Sequence, residues 1–138
     1  PPPSVSRPIC LAAPPPPHAP AAIGTYSQAI RSGDSVYISG QIPLIPGSTT
    51  IATGIEAQVR QVFSNLSAIC TAAGAELDQV VKFTVYLTDL GHFAIVNQVM
   101  ASLLHPPYPA RAVVEVRALP KDALVEVDAI LSLIRPAP

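Results

Sequence analysis

The chain has 138 residues, the size of one domain, and 49% of them are hydrophobic while only 12% are charged. A net charge of −1 with eight scattered Lys/Arg residues argues against nucleic acid as the main partner, because phosphate-backbone binding needs clustered cations. No apolar run reaches the roughly 18 residues of a membrane span, so the apolar surface that so few charges leave exposed is expected to be covered in an oligomer.

The first 21 residues differ from the rest. Nine of the first twenty are proline, including Pro14 to Pro17. Proline lacks the N–H that a helix or central strand uses, so residues 1–21 are expected to form an extended, disordered tail. A polyproline ligand for a partner domain is the other reading of that composition. The folded domain is expected over residues 22–135. The tail has no acidic residue, as in transit peptides, but it carries one arginine and cannot form their amphipathic helix. A cytoplasmic location is expected, with a mitochondrial one as the alternative.

Beyond the tail the pattern becomes regular. Tyr26 to Arg31 extends as a strand, and Gly33-Asp34 makes a turn into a second strand, Val36 to Ile42. Pro43 to Thr53 is a loop. Thr53 and Glu56 have the spacing of a capping box and open a helix. Ile55, Val59, Val62, Phe63, Leu66, Ile69, Cys70 and Ala73 then recur at helical spacing, and Gly74 stops it. Val80 to Leu87 alternates apolar and polar residues, as a half-buried strand does. Thr88 or Asp89 caps a second helix whose Leu90, Phe93, Val96, Met100 and Leu103 or Leu104 face inward. The proline run from Pro106 to Pro109 ends it. Two further strands, Ala110 to Val116 and Leu124 to Ile134, flank the turn Leu119-Pro120-Lys121-Asp122. The order β-β-α-β-α-β-β describes an α+β fold, with two helices covering one face of one sheet. The other sheet face is apolar as well, which points to a subunit contact.

Alternation within the last two strands singles out ionisable residues. Arg111, Val113 and Glu115 share one face of their strand, and Glu126 and Asp128 share one face of theirs. An unpaired charge in an apolar strand is costly, so each needs a partner. A structural ion pair or a solvated sheet face would meet that need as well as a ligand site would. The three histidines, His18, His92 and His105, share no ligand spacing, so no metal site is expected. Cys10 and Cys70 are too far apart for a metal motif, and Cys70 falls on the apolar helix face, where a thiol is buried and inert. No phosphate-binding glycine loop or nucleophile elbow occurs.

Several segments resemble the RidA/YjgF family. They are Ile23-Gly24-Thr25-Tyr26-Ser27-Gln28, Ser39-Gly40-Gln41-Ile42-Pro43, Val96-Asn97, Pro109-Ala110-Arg111, Leu119-Pro120-Lys121-Asp122 and Val125-Glu126-Val127. Together they cover residues 22–134 in order. The resemblance implies a chorismate-mutase-like fold and a homotrimer around a central β-barrel, with clefts between subunits. It implies hydrolysis of 2-aminoacrylate-type enamine or imine carboxylic acids to 2-oxo acids and ammonia, with no cofactor and no metal. Arg111 would hold the substrate carboxylate and Glu126 would position the attacking water. Tyr26, Ser39, Gly40, Asn97 and Val113 would line the cleft. Two positions depart from the family pattern: Val113 stands where a cysteine is frequent, and Thr25 where a proline is usual. Both bear on substrate preference more than on reaction class. A non-catalytic small-molecule-binding trimer, a pathway-specific enzyme for a larger imine or carbonyl compound, and a ribonuclease remain as alternatives.

Overall fold

The computed structural model describes residues 24–135 and the backbone of residues 9–11. Six strands form one sheet: β1 (Ile9–Leu11), β2 (Ala29–Ser32), β3 (Ser35–Gln41), β4 (Val80–Leu87), β5 (Ala110–Glu115) and β6 (Val125–Ser132). Their spatial order is β1-β2-β3-β6-β4-β5, and only the β4–β5 pair is parallel. Helices α1 (Ile55–Ala72) and α2 (Phe93–Leu103) cover one face. The α+β order expected from the sequence is present, preceded by one more strand.

The core lies between helices and sheet. Val36 and Ile38 of β3, Phe83, Val85 and Leu87 of β4, and Val125, Val127, Ala129 and Leu131 of β6 are buried against Val59, Val62, Phe63 and Leu66 of α1. The Phe63 and Phe83 rings meet edge-on at 5.4 Å, the arrangement that ring quadrupoles favour. Cys70 is buried among these residues, and burial pushes its thiol up to about 12, so it is inert as expected. On the opposite sheet face, Tyr37 is 53% and Val114 40% exposed in the single chain.

Helix ends match the sequence reading at Gly74 and depart from it at both N-termini, where Gly54 stands at the N-cap of α1 and His92, with no side-chain bond, at that of α2. Thr53 and Glu56 form no capping box. The N-cap is Gly54 at φ 87°, which the absence of a Cβ makes inexpensive, and Glu56 pairs with Arg60 instead. At the other end, Gly74 (φ 79°) closes a Schellman motif, with Ala75 N–H donating to the Cys70 carbonyl and Gly74 N–H to that of Thr71. Asp89 caps the short 3-10 turn that leads into α2, its carboxylate accepting from the Gly91 N–H at 2.8 Å.

Three other expectations are corrected. Ile9–Leu11 pairs antiparallel with Ala29–Arg31, although it falls in the segment expected to be disordered. It is a proline-free apolar tripeptide, so each residue keeps the N–H a ladder needs. The rest of residues 1–21 lies outside the described residues. Tyr26 to Gln28 is a loop rather than strand, held where the Ser39 hydroxyl donates to the Ser27 carbonyl at 2.6 Å. In α2 the buried side chains are Val96, Val99 and Met100, followed by Leu104, while Leu90, Phe93 and Leu103 stay exposed. Among the described residues no helix is long and apolar enough to cross a membrane.

Candidate active site

Strand register places the two singled-out charges on opposite faces of the sheet. Arg111 is paired with Phe83, whose ring is in the core, so Arg111 emerges on the helix side at the edge strand β5. Glu126 is paired with Tyr86, which alternates with the buried residues, so Glu126 lies on the open side. The chain therefore carries two separate grooves, and Arg111 and Glu126 do not form an ion pair with each other.

The Arg111 groove is built by α2. Phe93, Asn97, Met100, Ala101 and Leu104 follow one another at spacings of four, three, one and three, which align them along one helix face. Arg111 Nη1 donates to Asn97 Oδ1 at 2.6 Å and approaches Met100 Sδ at 3.6 Å. Its guanidinium lies 5.2 Å from the centroid of the Phe93 ring, within cation–π range. These contacts occupy one edge and one face of the guanidinium. Among the described residues its Nε and Nη2 have no partner, and they are the pair of donors that grips a carboxylate side-on. Tyr108 and Pro109 complete a groove of about 480 Å³.

The Glu126 groove is built by an irregularity in β3. Between Ile38 and Gln41 three steps on β3 face two on β6, so Ser39-Gly40 forms a bulge. The Glu126 carboxylate sits over the bare Cα of Gly40: a Cβ there would come within 2.8 Å of its Oε2. Tyr26, Ser39, Ile42 and Pro120 line the rest. Burial, reinforced by the negative charge of Asp128, raises the Glu126 pKa. Asp128 in turn accepts a 2.9 Å hydrogen bond from Tyr86, whose own pKa rises through that bond and through burial.

Buried amides of α1 fix the walls of this groove. The Gln58 carbonyl accepts from the Leu124 N–H at 2.8 Å, two residues before Glu126. Asn65 donates to the Leu44 carbonyl at 2.9 Å, just past the groove residue Ile42, and accepts from Gln61. Lys121 and Asp122, next to Pro120, both take positive φ (57° and 55°). Such strain outside glycine costs about 1–3 kcal/mol and persists where the surroundings impose it; the Lys121 ammonium is tied to the Thr49 carbonyl at 2.9 Å.

Every residue singled out from the sequence is thereby located. Tyr26, Ser39, Gly40 and Glu126 share one groove, and Asn97 and Arg111 share the other. Val113 points to the same side as Arg111 but packs half-buried on the core. Glu115 caps the turn before α2 by accepting from the Leu90 N–H at 3.0 Å. Phe93, Met100, Tyr108, Asp128 and Tyr86 were not assigned to a site from the sequence. The helical stripe from Phe93 to Leu104 is a signal that marks the first two, since it runs through Asn97.

These features define a two-layer α+β domain of the chorismate-mutase-like kind, with an arginine held by Asn97 and Phe93 on one face of its sheet and a half-buried glutamate on the other. The chain belongs to the RidA/YjgF family: residues 16–132 match the family model described as endoribonuclease L-PSP. It is 51% identical over 117 residues to the RutC family protein y4sK of Sinorhizobium fredii, covering 83% of this chain and 92% of that one. It is 43% identical to the 2-iminobutanoate/2-iminopropanoate deaminase of Salmonella typhimurium, covering 82% of this chain and 91% of that one. Among solved structures, RidA from an Antarctic Psychrobacter superposes with a TM-score of 0.82 at 54% identity, over 83% of this chain and 94% of that one.

Proposed function

We propose that the protein hydrolyses 2-imino carboxylic acids, and the enamines that tautomerise to them, to 2-oxo acids and ammonia. The observation that carries this reading is Arg111, held by Asn97 and Phe93 so that its Nε–Nη2 edge is free for a carboxylate. A fork of this kind orients a small planar acid, which is a large part of what catalysis of an already electrophilic carbon requires. The half-buried Glu126 supplies the proton transfers. Glu126 takes a proton from water as the water oxygen bonds to C2, and the C=N π pair moves to nitrogen. Glu126 passes that proton to nitrogen, completing the carbinolamine. It then takes the hydroxyl proton and delivers it to the amine as the C–N bond breaks: the oxygen's electron pair forms the new carbonyl, and the C–N pair leaves on ammonia. Water is the only co-reactant, so no cofactor is needed.

Arg111 and Glu126 serve one substrate only if two copies of the chain meet. The reading therefore includes a homotrimer in which the Arg111 groove of one subunit faces the Glu126 groove of the next. The exposed Tyr37 and Val114 of the open sheet face support this, because apolar sheet surface of this kind is normally covered.

Mixed oligomers test it. Arg111→Ala and Glu126→Gln proteins, each inactive alone, are unfolded and refolded together. If each site draws its arginine and glutamate from different subunits, random mixing restores about a quarter of the sites. Light scattering should give three times the chain mass. Absence of any recovered activity in a verified mixed trimer would refute the shared site.

A further inference from the structure

The Arg111 groove is larger and more apolar than a three-carbon acid needs. At about 480 Å³ it falls in the roughly 300–1,000 Å³ class of pockets that enclose whole drug-sized ligands. Its charged and amide side chains are Arg111 and Asn97, which bond to each other. The rest of the lining is Met100, Ala101, Leu104, Tyr108 and Pro109, and of these Met100 also touches Arg111. Tyr108 is 61% exposed, an aromatic surface left without cover in the chain. The Met100 thioether is polarisable and unbranched, so it adapts to side chains of different shape.

We propose that Met100, Leu104 and Tyr108 select 2-imino acids bearing an extended apolar or aromatic side chain over the smallest members of the class. The inference rests on the deaminase reading above and adds the substrate's side chain to it. In this reading the carboxylate takes the free edge of Arg111 and the C2 substituent lies against the apolar side chains that line the groove. Each further methylene laid on those side chains leaves water, and pockets of this kind discriminate roughly 10–200-fold per methylene at best.

An amino-acid oxidase supplied with alanine, leucine or phenylalanine generates the three imino acids in place, and 2-oxo acid release above the spontaneous rate reports hydrolysis. The expected kcat/KM for the leucine- and phenylalanine-derived imines is at least about tenfold above that for the alanine-derived one. Tyr108→Ala should collapse the ratio and Tyr108→Phe should keep it. Tyr108 is exposed in the single chain, so neither change threatens the subunit fold, and light scattering checks that the assembly persists. Calorimetric binding of the stable products gives a readout independent of turnover: 4-methyl-2-oxopentanoate should bind at least about tenfold more tightly than pyruvate. Equal rates and equal binding across the series would overturn the inference while leaving the deaminase reading intact. Preferential binding of the larger 2-oxo acid without hydrolysis of any imine would overturn the deaminase reading and keep the selectivity of the groove.

Discussion

The two grooves are built on different principles. Around Arg111 the neighbours stabilise charge: an amide oxygen at 2.6 Å, a thioether and the face of Phe93 hold a guanidinium that stays exposed. Around Glu126 the neighbours oppose charge: burial and the adjacent Asp128 both favour the protonated carboxyl. One groove is a fixed cation suited to binding. The other is a carboxyl that burial and a neighbouring charge bias toward the protonated form. Because they lie on opposite sheet faces of the chain, a substitution in one leaves the other's contacts within that chain intact.

Substitutions that separate the two have the largest expected effects. Glu126→Gln keeps shape and hydrogen bonding but cannot take a proton, so kcat should fall on the order of 10²–10⁴-fold. Binding of a stable 2-oxo acid, followed by calorimetry, should hardly change. Arg111→Ala should do the reverse. It should weaken that binding and lower kcat/KM on the order of 10²–10³-fold, and Arg111→Lys should restore only part, since an ammonium lacks the fork. Identical phenotypes for the two variants would erase the distinction between a binding groove and a proton-transfer groove.

Gly40→Ala sharpens the contrast further. The added Cβ would press on the Glu126 carboxylate at 2.8 Å, so kcat should drop by roughly tenfold or more while 2-oxo acid binding at Arg111 persists. The pH profile gives a subtler signature. Glu126 holds its proton more tightly in the folded chain than in the unfolded one. Its contribution to stability is therefore fullest below the ordinary carboxylate pKa and declines as pH rises through the raised folded value. A base at this position gives kcat/KM an acid limb above the ordinary carboxylate range. Asp128→Asn removes the second cause of the shift and should move that limb to lower pH. An unmoved limb would mean that another group sets it.

Sequence periodicity was sufficient for the layers but not for the candidate site. The apolar repeat of α1 and the alternation in β4 and β6 record burial directly, and burial is what those patterns encode. The resemblance supplied Arg111, Glu126, Tyr26, Ser39, Gly40 and Asn97. What local pattern does not carry is pairing between distant segments. That β6 inserts between β3 and β4, that the Ser39-Gly40 bulge seats Glu126, and that Arg111 and Glu126 face opposite ways all depend on register. Phe93 was read as core because it fits the helical stripe. It instead lies at the end of α2 where the sheet ends, 40% exposed and against Arg111. The strand Ile9–Leu11 was obscured by the prolines around it.

The smallest expected effect belongs to that strand. Removing residues 1–11 takes away three edge pairings and should cost about 1 kcal/mol, a few degrees in a thermal melt. Kinetics at either groove should be unaffected. A melt identical to the full chain would mean the pairing contributes nothing measurable.

The position of β1 has a consequence for solubility. A sheet edge is a template on which foreign strands can grow, and here one edge is formed by only three residues. Pro8 precedes them directly and Pro14 follows after two alanines. Neither proline has an N–H to offer an incoming backbone, so a ladder started on β1 meets a missing donor soon after it leaves the strand at either end. In a chain with this few charged residues, a proline in the sequence on either side of the edge strand is a second chemical obstacle to strand addition.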